Sequence, residues 1–225
     1  MSLCQDLREV VLINNNKELV IIGASGLGKE IAWLAKRLQI KVKGFLDDNS
    51  STGHFYNLPI LGHIHTWPEY DDVQFIIAVA SPRVRLKIYM QHFVDKKVHF
   101  ATLIDPSVQW LSEDLSIGEG SVICAGSITT ANVQIGNHVI VNKLVSIGHD
   151  VNIADFVTIS PQVMLGGNTN VLSGAEVGAG SKIRQGLTIG TGASLGMGSI
   201  LTKNTQPNTL YFGNPAKVIK QLEAF

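Results

Sequence analysis

The clearest chemistry in this chain is an adjacent pair, His149-Asp150, set in the stretch Ile147-Gly148-His149-Asp150-Val151-Asn152. An imidazole titrates near neutrality, so it is the side chain best suited to take and return a proton at pH 7. A carboxylate beside it can fix the ring tautomer and raise its basicity. Taken alone, the pair also fits the plain description of a surface histidine next to a surface aspartate. His138 is the only other histidine in the C-terminal half. Two are too few for a three-histidine zinc site, so no metal is expected. No activated Ser or Cys nucleophile is visible, which favours direct transfer over a covalent intermediate.

A second candidate lies near the start. Gly23-Ala24-Ser25-Gly26-Leu27-Gly28 follows a short apolar run, Glu18 to Ile22, and opens a helical pattern. Glycines there let the backbone approach a ligand, and the free N–H groups of a helix start favour an anion such as a pyrophosphate. Asp47 and Asp48 end the next apolar run, 24 and 25 residues after Gly23, where a carboxylate can take a ribose hydroxyl or a base N–H. The spacing is G-x-x-G-x-G, not the dinucleotide G-x-G-x-x-G, and a tight strand–helix turn alone would also use these glycines. The α/β unit is about half the usual doubly wound size, which disfavours a full dinucleotide site and the oxidoreductase reading that would need one.

Other polar residues are weaker candidates. Asn142 precedes His149 by seven residues and reads equally well as a corner residue. Arg83 and Arg85 could meet a phosphate, but a solvated helix face is the simpler expectation. His54, His63 and His65 sit in a loop-rich stretch without a motif.

The element that must position His149 announces itself as a repeat. Stepping by six from Leu111 to Leu201 meets Ile, Leu or Val at fifteen of sixteen positions, with Thr129 the exception. Four residues after each comes, in most hexads, a small or β-branched residue, such as Ser121, Val139, Val157 or Ala175, and glycine often follows the branched one. Such a hexad beat is the mark of a parallel β-helix, one hexad to each flat side, with about 18 residues per coil and about five coils here. The branched residues point inward, so His149, third in its hexad, projects outward at or beside a corner. An α-helix does not fit a period of six or a composition rich in Gly, Val, Ile and Thr.

The first hundred residues have a different grammar. Strands are expected at Glu18–Ile22, Val42–Leu46, Leu58–Leu61, Gln74–Val79 and Val98–Ile104, and helices at Lys29–Ile40 and Pro82–Phe93. Strand–helix alternation implies a small Rossmann-like parallel sheet covered by helices. The boundary falls near residues 103–107, giving an α/β unit over 1–104 and a β-helix over 105–225. A short terminal helix is expected at Val218–Phe225, and the α/β unit is expected to pack closely on the prism.

Bulk properties narrow the function. The chain has 225 residues, zero formal net charge and 16% charged residues, with no basic stripe, so nucleic acid is not an expected partner. No apolar run approaches the roughly 20 residues of a membrane span. The N-terminus, Met1 to Asp6, lacks the basic and apolar regions of a signal peptide. Cys4 and Cys124 form neither a metal motif nor a disulfide framework, which suits a reducing cytoplasm.

The hexad prism, the Gly23–Gly28 loop, Phe45-Leu46-Asp47-Asp48, Asn142 with His149-Asp150, and the closing Gly213-Asn214-Pro215-Ala216-Lys217 together resemble the bacterial sugar acyltransferases of the left-handed β-helix superfamily, of the PglD/NeuD type. The resemblance runs from Glu18 onward. It implies a left-handed β-helix, acetyl-CoA as cosubstrate, a homotrimer, and an acceptor that is a nucleotide-linked amino sugar or a sialic acid hydroxyl. It implies that His149 is the catalytic base and Asp150 its acidic helper. The acceptor nucleotide falls on Ser25, Gly26 and Leu27 with Asp47 and Asp48, and Asn142 joins the acceptor site. Acetyl-CoA contacts fall at Thr158, Gly167, Ala179 and Met197, with the Gly167 N–H as an oxyanion donor. The chain departs from the family in two places. Leu27 stands where a histidine is common, and Thr158 stands where a second histidine often follows the catalytic one.

The reading that joins these signals is a cytoplasmic, acetyl-CoA-dependent sugar N-acetyltransferase serving glycan, capsule or lipopolysaccharide synthesis. The alternatives are a sialic acid O-acetyltransferase and a non-catalytic trimer that binds a sugar nucleotide. A thiol-release assay separates an enzyme from a binding protein.

Overall fold

The computed structural model describes residues 17–49 and 52–225. The N-terminal Met1–Asp6 stretch and Cys4 lie outside the described residues.

The short apolar runs of the first part become strands β1 (Glu18–Ile22), β2 (Val42–Leu46), β3 (His54–Phe55), β4 (Leu58–Gly62) and β5 (Val73–Ile77). They form one sheet in the order β3-β4-β2-β1-β5. The β3–β4 hairpin is antiparallel, and the pairings of β1 with β2 and β5 and of β2 with β4 are parallel. Central β1 is buried on both sides, so it reads as an unbroken apolar run and not as an alternation. Helix α1 (Gly26–Arg37) buries Ile31, Leu34 and Ala35 against the sheet, and α2 (Pro82–His92) starts on proline, whose missing N–H is harmless in the first turn.

From Leu103 the chain winds into a three-sided prism. The first face carries Val122–Ile123, Ile140–Val141, Thr158–Ile159, Glu176–Val177 and Ser194–Leu195; the second carries Ile128–Thr129, Ser146–Ile147, Met164–Leu165 and Lys182–Ile183; the third carries Val133–Ile135, Asn152–Ile153, Asn170–Val171 and Thr188–Ile189. All these neighbours pair in parallel, each with the strand one coil later, as Ile128 with Ser146 and Ile140 with Thr158. The hexad residues from Ile123 to Leu201, together with their small partners, form a continuous buried core.

Four details differ from the sequence reading. Helix α1 begins at Gly26 and ends at Arg37, earlier at both ends, because the glycine loop itself supplies the first turn. Val98–Ile104 is not one strand: Phe100 makes a single bridge to Phe75, and Leu103–Ile104 already pairs with Val122–Ile123 in the first coil. Leu111, the first beat of the repeat, is 62% exposed because the register shifts by one there: Trp110, not Leu111, pairs with Thr129 and packs against the prism core. The chain end forms a strand at Lys217–Gln221, antiparallel to Thr209–Phe212, where a helix was expected. Its edge position satisfies one side of the ladder and leaves its residues exposed.

Arg85 departs furthest from expectation. It lies fully buried between α2 and the first face, not on a solvated surface. Helix α1 packs on the same face, with Leu103 and Val122 sharing the core of Ile31 and Leu34.

Candidate active site

The turn from the second to the third face carries the catalytic candidates. Ser146-Ile147 ends one side with Ile147 inward, and Gly148-His149-Asp150 makes the corner. Asp150 has φ +57°, Asn132 one coil before it φ +53°, and Asn168 one coil after it φ +57°. This corner needs the left-handed conformation, which Asn and Asp tolerate better than other side chains. The same conformation turns the Asp150 carboxylate toward its neighbours. His149 Nδ1 and Asp150 Oδ2 are 2.7 Å apart, and Asn132 Nδ2 donates to Asp150 Oδ1 at 2.8 Å. The His149 bond and then the Asn132 bond hold the Asp150 carboxyl below the usual carboxylate range. With Asp150 ionised, the bound His149 nitrogen is Nδ1–H, and Nε2 is left as the acceptor nitrogen.

That free nitrogen lies against the next coil. A Cβ added at Gly167 would sit 2.6 Å from His149 Nε2 and 2.7 Å from Cε1, so the ring occupies the space that a side chain at 167 would need. Among the described residues the Gly167 N–H has no acceptor. Beside it, Met164, Gly166, Ile183, Arg184 and Gln185 line an open cavity of about 510 Å³. An imidazole and a free N–H therefore meet at one prism edge, with this cavity on the adjoining second face.

The other candidates lie elsewhere. Asn142, Ala179 and Met197 stand on the edge between the first and second faces, one edge away from His149 in the same chain. Asn142 Oδ1 accepts the Lys143 N–H at 2.8 Å, and Met197 is 70% exposed. Thr158 is a correction. Expected at the acetyl-CoA groove, it is buried under the α/β layer, where its hydroxyl donates to Ala80 O at 2.7 Å and accepts from Arg85 at 3.0 Å. No group of three or more His, Cys, Asp or Glu among the described residues is arranged to hold a metal.

The glycine loop is built for close approach. Gly23 has φ +106°, and a Cβ at Gly28 would come within 2.4 Å of Gly23 O, so both positions need glycine for the turn itself. Gly26 is different: a Cβ there would meet nothing within 4 Å. Ser25 and Gly26 are exposed at the start of α1, with the helix N–H groups open beside them. Asp47 is buried, and both its oxygens are occupied: Oδ2 accepts the Ala24 N–H at 2.6 Å and Oδ1 the Asn49 N–H at 2.7 Å. It shapes the loop and is not held out toward solvent. Asp48 is the exposed carboxylate; its Oδ1 accepts the Ile64 N–H at 2.8 Å and lies 3.8 Å from His63 Nδ1. His63, set aside in the sequence for want of a motif, thus belongs beside this loop.

Sequence reasoning passed over Asn132 as a partner of Asp150. The signal was present, since one coil is three hexads and Asn132 lies one coil before Asp150.

Comparison with known proteins gives consistent matches. A family model of the PglD N-terminal domain matches residues 18–92. The acetyltransferase domain of PglB from Neisseria gonorrhoeae FA1090 is 31% identical and aligns with a TM-score of 0.84 over 91% of this chain and 100% of that one. The same domain in complex with acetyl coenzyme A aligns at 29% identity, TM-score 0.83, over 90% of this chain and 99% of that one. A mutant of perosamine N-acetyltransferase from Caulobacter crescentus, solved with CoA and GDP-perosamine, aligns with a TM-score of 0.84 over 91% and 97% of the two chains; its 24% identity shows a shared fold alone. A search of curated protein sequences gave no match.

Proposed function

The chain belongs to the PglD/NeuD-type acyltransferases of the left-handed β-helix superfamily, and from that premise we propose that it transfers the acetyl group of acetyl-CoA to the amine of a nucleotide-linked sugar. The observation that carries the chemistry is the His149 ring, tied to Asp150 at 2.7 Å and laid against Gly167. In this reading Asp150 holds the Nδ1–H tautomer, so that Nε2 takes the proton from the acceptor amine as nitrogen attacks the thioester carbonyl. The Gly167 N–H donates to the developing oxyanion, and CoA leaves as the thiol once the proton is returned. The C–N bond forms first, giving a tetrahedral oxyanion, and its collapse breaks the C–S bond, with no covalent enzyme intermediate.

The acceptor nucleotide is assigned to the α/β unit of residues 1–104, with its phosphates at Ser25, Gly26 and Leu27. Asp48 faces the base or ribose, while Asp47 keeps the loop in shape. The acyl donor is assigned to the β-helix of residues 105–225. Because Asn142, Ala179 and Met197 share one prism edge and His149 and Gly167 the next, a single chain does not gather all of them. A homotrimer with parallel prisms would bring one edge of each subunit to the other edge of its neighbour, and three such contacts close on themselves. We assign the enzyme to the cytoplasm and to the modification of activated sugars for glycans; among the described residues no helix is long and apolar enough to cross a membrane.

The test is CoA release measured over a panel of nucleotide-linked amino sugars. His149→Ala is expected to lower kcat roughly 10²–10⁴-fold with acetyl-CoA affinity kept. Near-normal turnover by the folded variant would remove His149 from the mechanism.

A further inference from the structure

Arg85 is the largest fully buried side chain described; among the described residues it makes no direct ion pair, and the Glu176 carboxylate acts on it only through space. Its Nε donates to His138 O at 2.9 Å, and its terminal nitrogens donate to Phe156 O at 2.8 Å and Val157 O at 3.1 Å, all on the prism. The same guanidinium donates to Val79 O at 2.6 Å and Ala80 O at 3.1 Å, in the loop that joins β5 to α2. Thr158 on the first face completes the joint, accepting from Arg85 and donating to Ala80 O. One planar fork therefore satisfies carbonyls on both sides of the junction, which a flexible ammonium or an apolar side chain of equal volume does not do.

The loop so held is the one on which the glycine loop rests. Ser25 Oγ donates to Ala78 O at 3.4 Å, Ala78 N donates to Ile22 O at 2.7 Å, and a Cβ at Gly23 would touch Ala78 O at 3.1 Å. A continuous path of hydrogen bonds and close contacts thus runs from the prism through Arg85 to Ser25. We propose that Arg85, with Thr158, is a positioning residue for the transfer: it locks the acceptor-nucleotide loop to the prism and so sets where the acceptor amine arrives. This rests on the reading of the glycine loop as the acceptor site.

Rigid placement counts because two tethered reactants gain rate only while the tether holds them in register, and a misplacement of about 1 Å can cost about 100-fold. The benefit exists only for an acceptor that is anchored through its nucleotide. A free amino sugar, lacking the nucleotide, meets the base by diffusion and gains nothing from the joint.

The experiment compares those two acceptors in Arg85→Lys and in the near-isosteric Thr158→Val, which leaves Arg85 in place should the first variant fold poorly. With the nucleotide-linked amino sugar, kcat is expected to fall roughly 10- to 100-fold. Acetyl-CoA affinity and the slow rate on the free amino sugar should stay at wild-type values, and Thr158→Ser should recover most of the loss. An equal fall on both acceptors would reduce the joint to a support for folding and overturn the proposal, as would full activity of both variants on the nucleotide-linked acceptor. Wild-type protein that releases no CoA with either acceptor would sink the functional reading itself, a result distinct from both.

Discussion

The His149 imidazole lies across the backbone of Gly167, one coil on, in the volume where any larger residue at 167 would place its Cβ. The coil repeat thus does two jobs at one point: it stacks a bare backbone N–H under the proposed base, and it limits where the ring can go. Asp150 holds the other side of the ring, so the imidazole is fixed at both edges.

Gly167→Ala should therefore act on catalysis and not on folding. The added methyl falls 2.6–2.9 Å from ring atoms that are half-exposed, so it forces the ring to swing outward at the expense of its bond to Asp150, and the prism keeps its core. The swing breaks the alignment of base and N–H. We expect kcat to drop by about 10²-fold with acetyl-CoA affinity little changed. Steady-state kinetics and a thermal melt check this; a melting temperature that falls in step with kcat would mean the methyl damages the fold.

Asp47 makes a separable prediction. Its carboxylate holds the Ala24 and Asn49 N–H groups and so the shape of the loop in front of Ser25 and Gly26. A hydrogen bond to a charged group contributes about 1.5–3 kcal/mol, so Asp47→Ala should raise the acceptor KM roughly tenfold or more. Calorimetric titration should find acetyl-CoA binding unaltered, since that ligand is assigned to the prism. Equal weakening of both ligands would mark a general loss of structure instead.

Periodic parts of this molecule were legible in the sequence, and contacts between them were not. The hexad beat predicts the buried faces from Ile123 to Leu201 because a two-sided pleat leaves no freedom once one face is interior. The outward, cornered place of His149 follows from the same beat. Coil stacking was equally available, and it would have paired Asn132 with Asp150 and His149 with Gly167. Arg85 and Thr158 were beyond reach: a charged residue on a helix reads as solvated, and only the docked prism turns that helix face into an interior. The terminal strand was missed for a similar reason, since Lys217–Gln221 takes its extended form from pairing with Thr209–Phe212 and not from its own propensities.

His138 yields a prediction about pH and stability. Its ring is buried, stacked on Phe156 at 5.0 Å and against Phe100 and Tyr89, and its Nδ1 has no hydrogen-bond partner among the described residues. Burial, with the Arg85 charge second, pushes its pKa down from 6.5 to about 4. Between those values the unfolded chain binds a proton that the folded chain refuses, so stability must rise with pH across that window and fall on acidification. The loss from pH 7 to pH 5 should be about 2 kcal/mol from this residue alone. His138→Phe keeps an aromatic ring in the stack and removes the titration. Urea unfolding at fixed protein concentration should show a flatter dependence between pH 5 and 7 in the variant, and an unchanged slope would refute the assignment.

The division of site residues between two prism edges leads to the last prediction. If His149 of one subunit works on acetyl-CoA held against Ala179 and Met197 of the next, activity requires assembly. Light scattering should then report about three times the chain mass. Two inactive proteins provide the sharper test. One carries His149→Ala and lacks the base; the other carries Ala179→Trp, which fills the facing edge with an indole. Each homotrimer should be nearly inert, because every one of its sites contains the damaged edge. In a mixed trimer, some junctions bring an intact His149 from one chain to an intact Ala179 edge from the other. Unfolding the two proteins together and refolding them should restore a measurable fraction of wild-type turnover, whereas mixing without subunit exchange should not. A monomer with full activity, or mixed trimers no more active than their parents, would show that each chain completes its site alone.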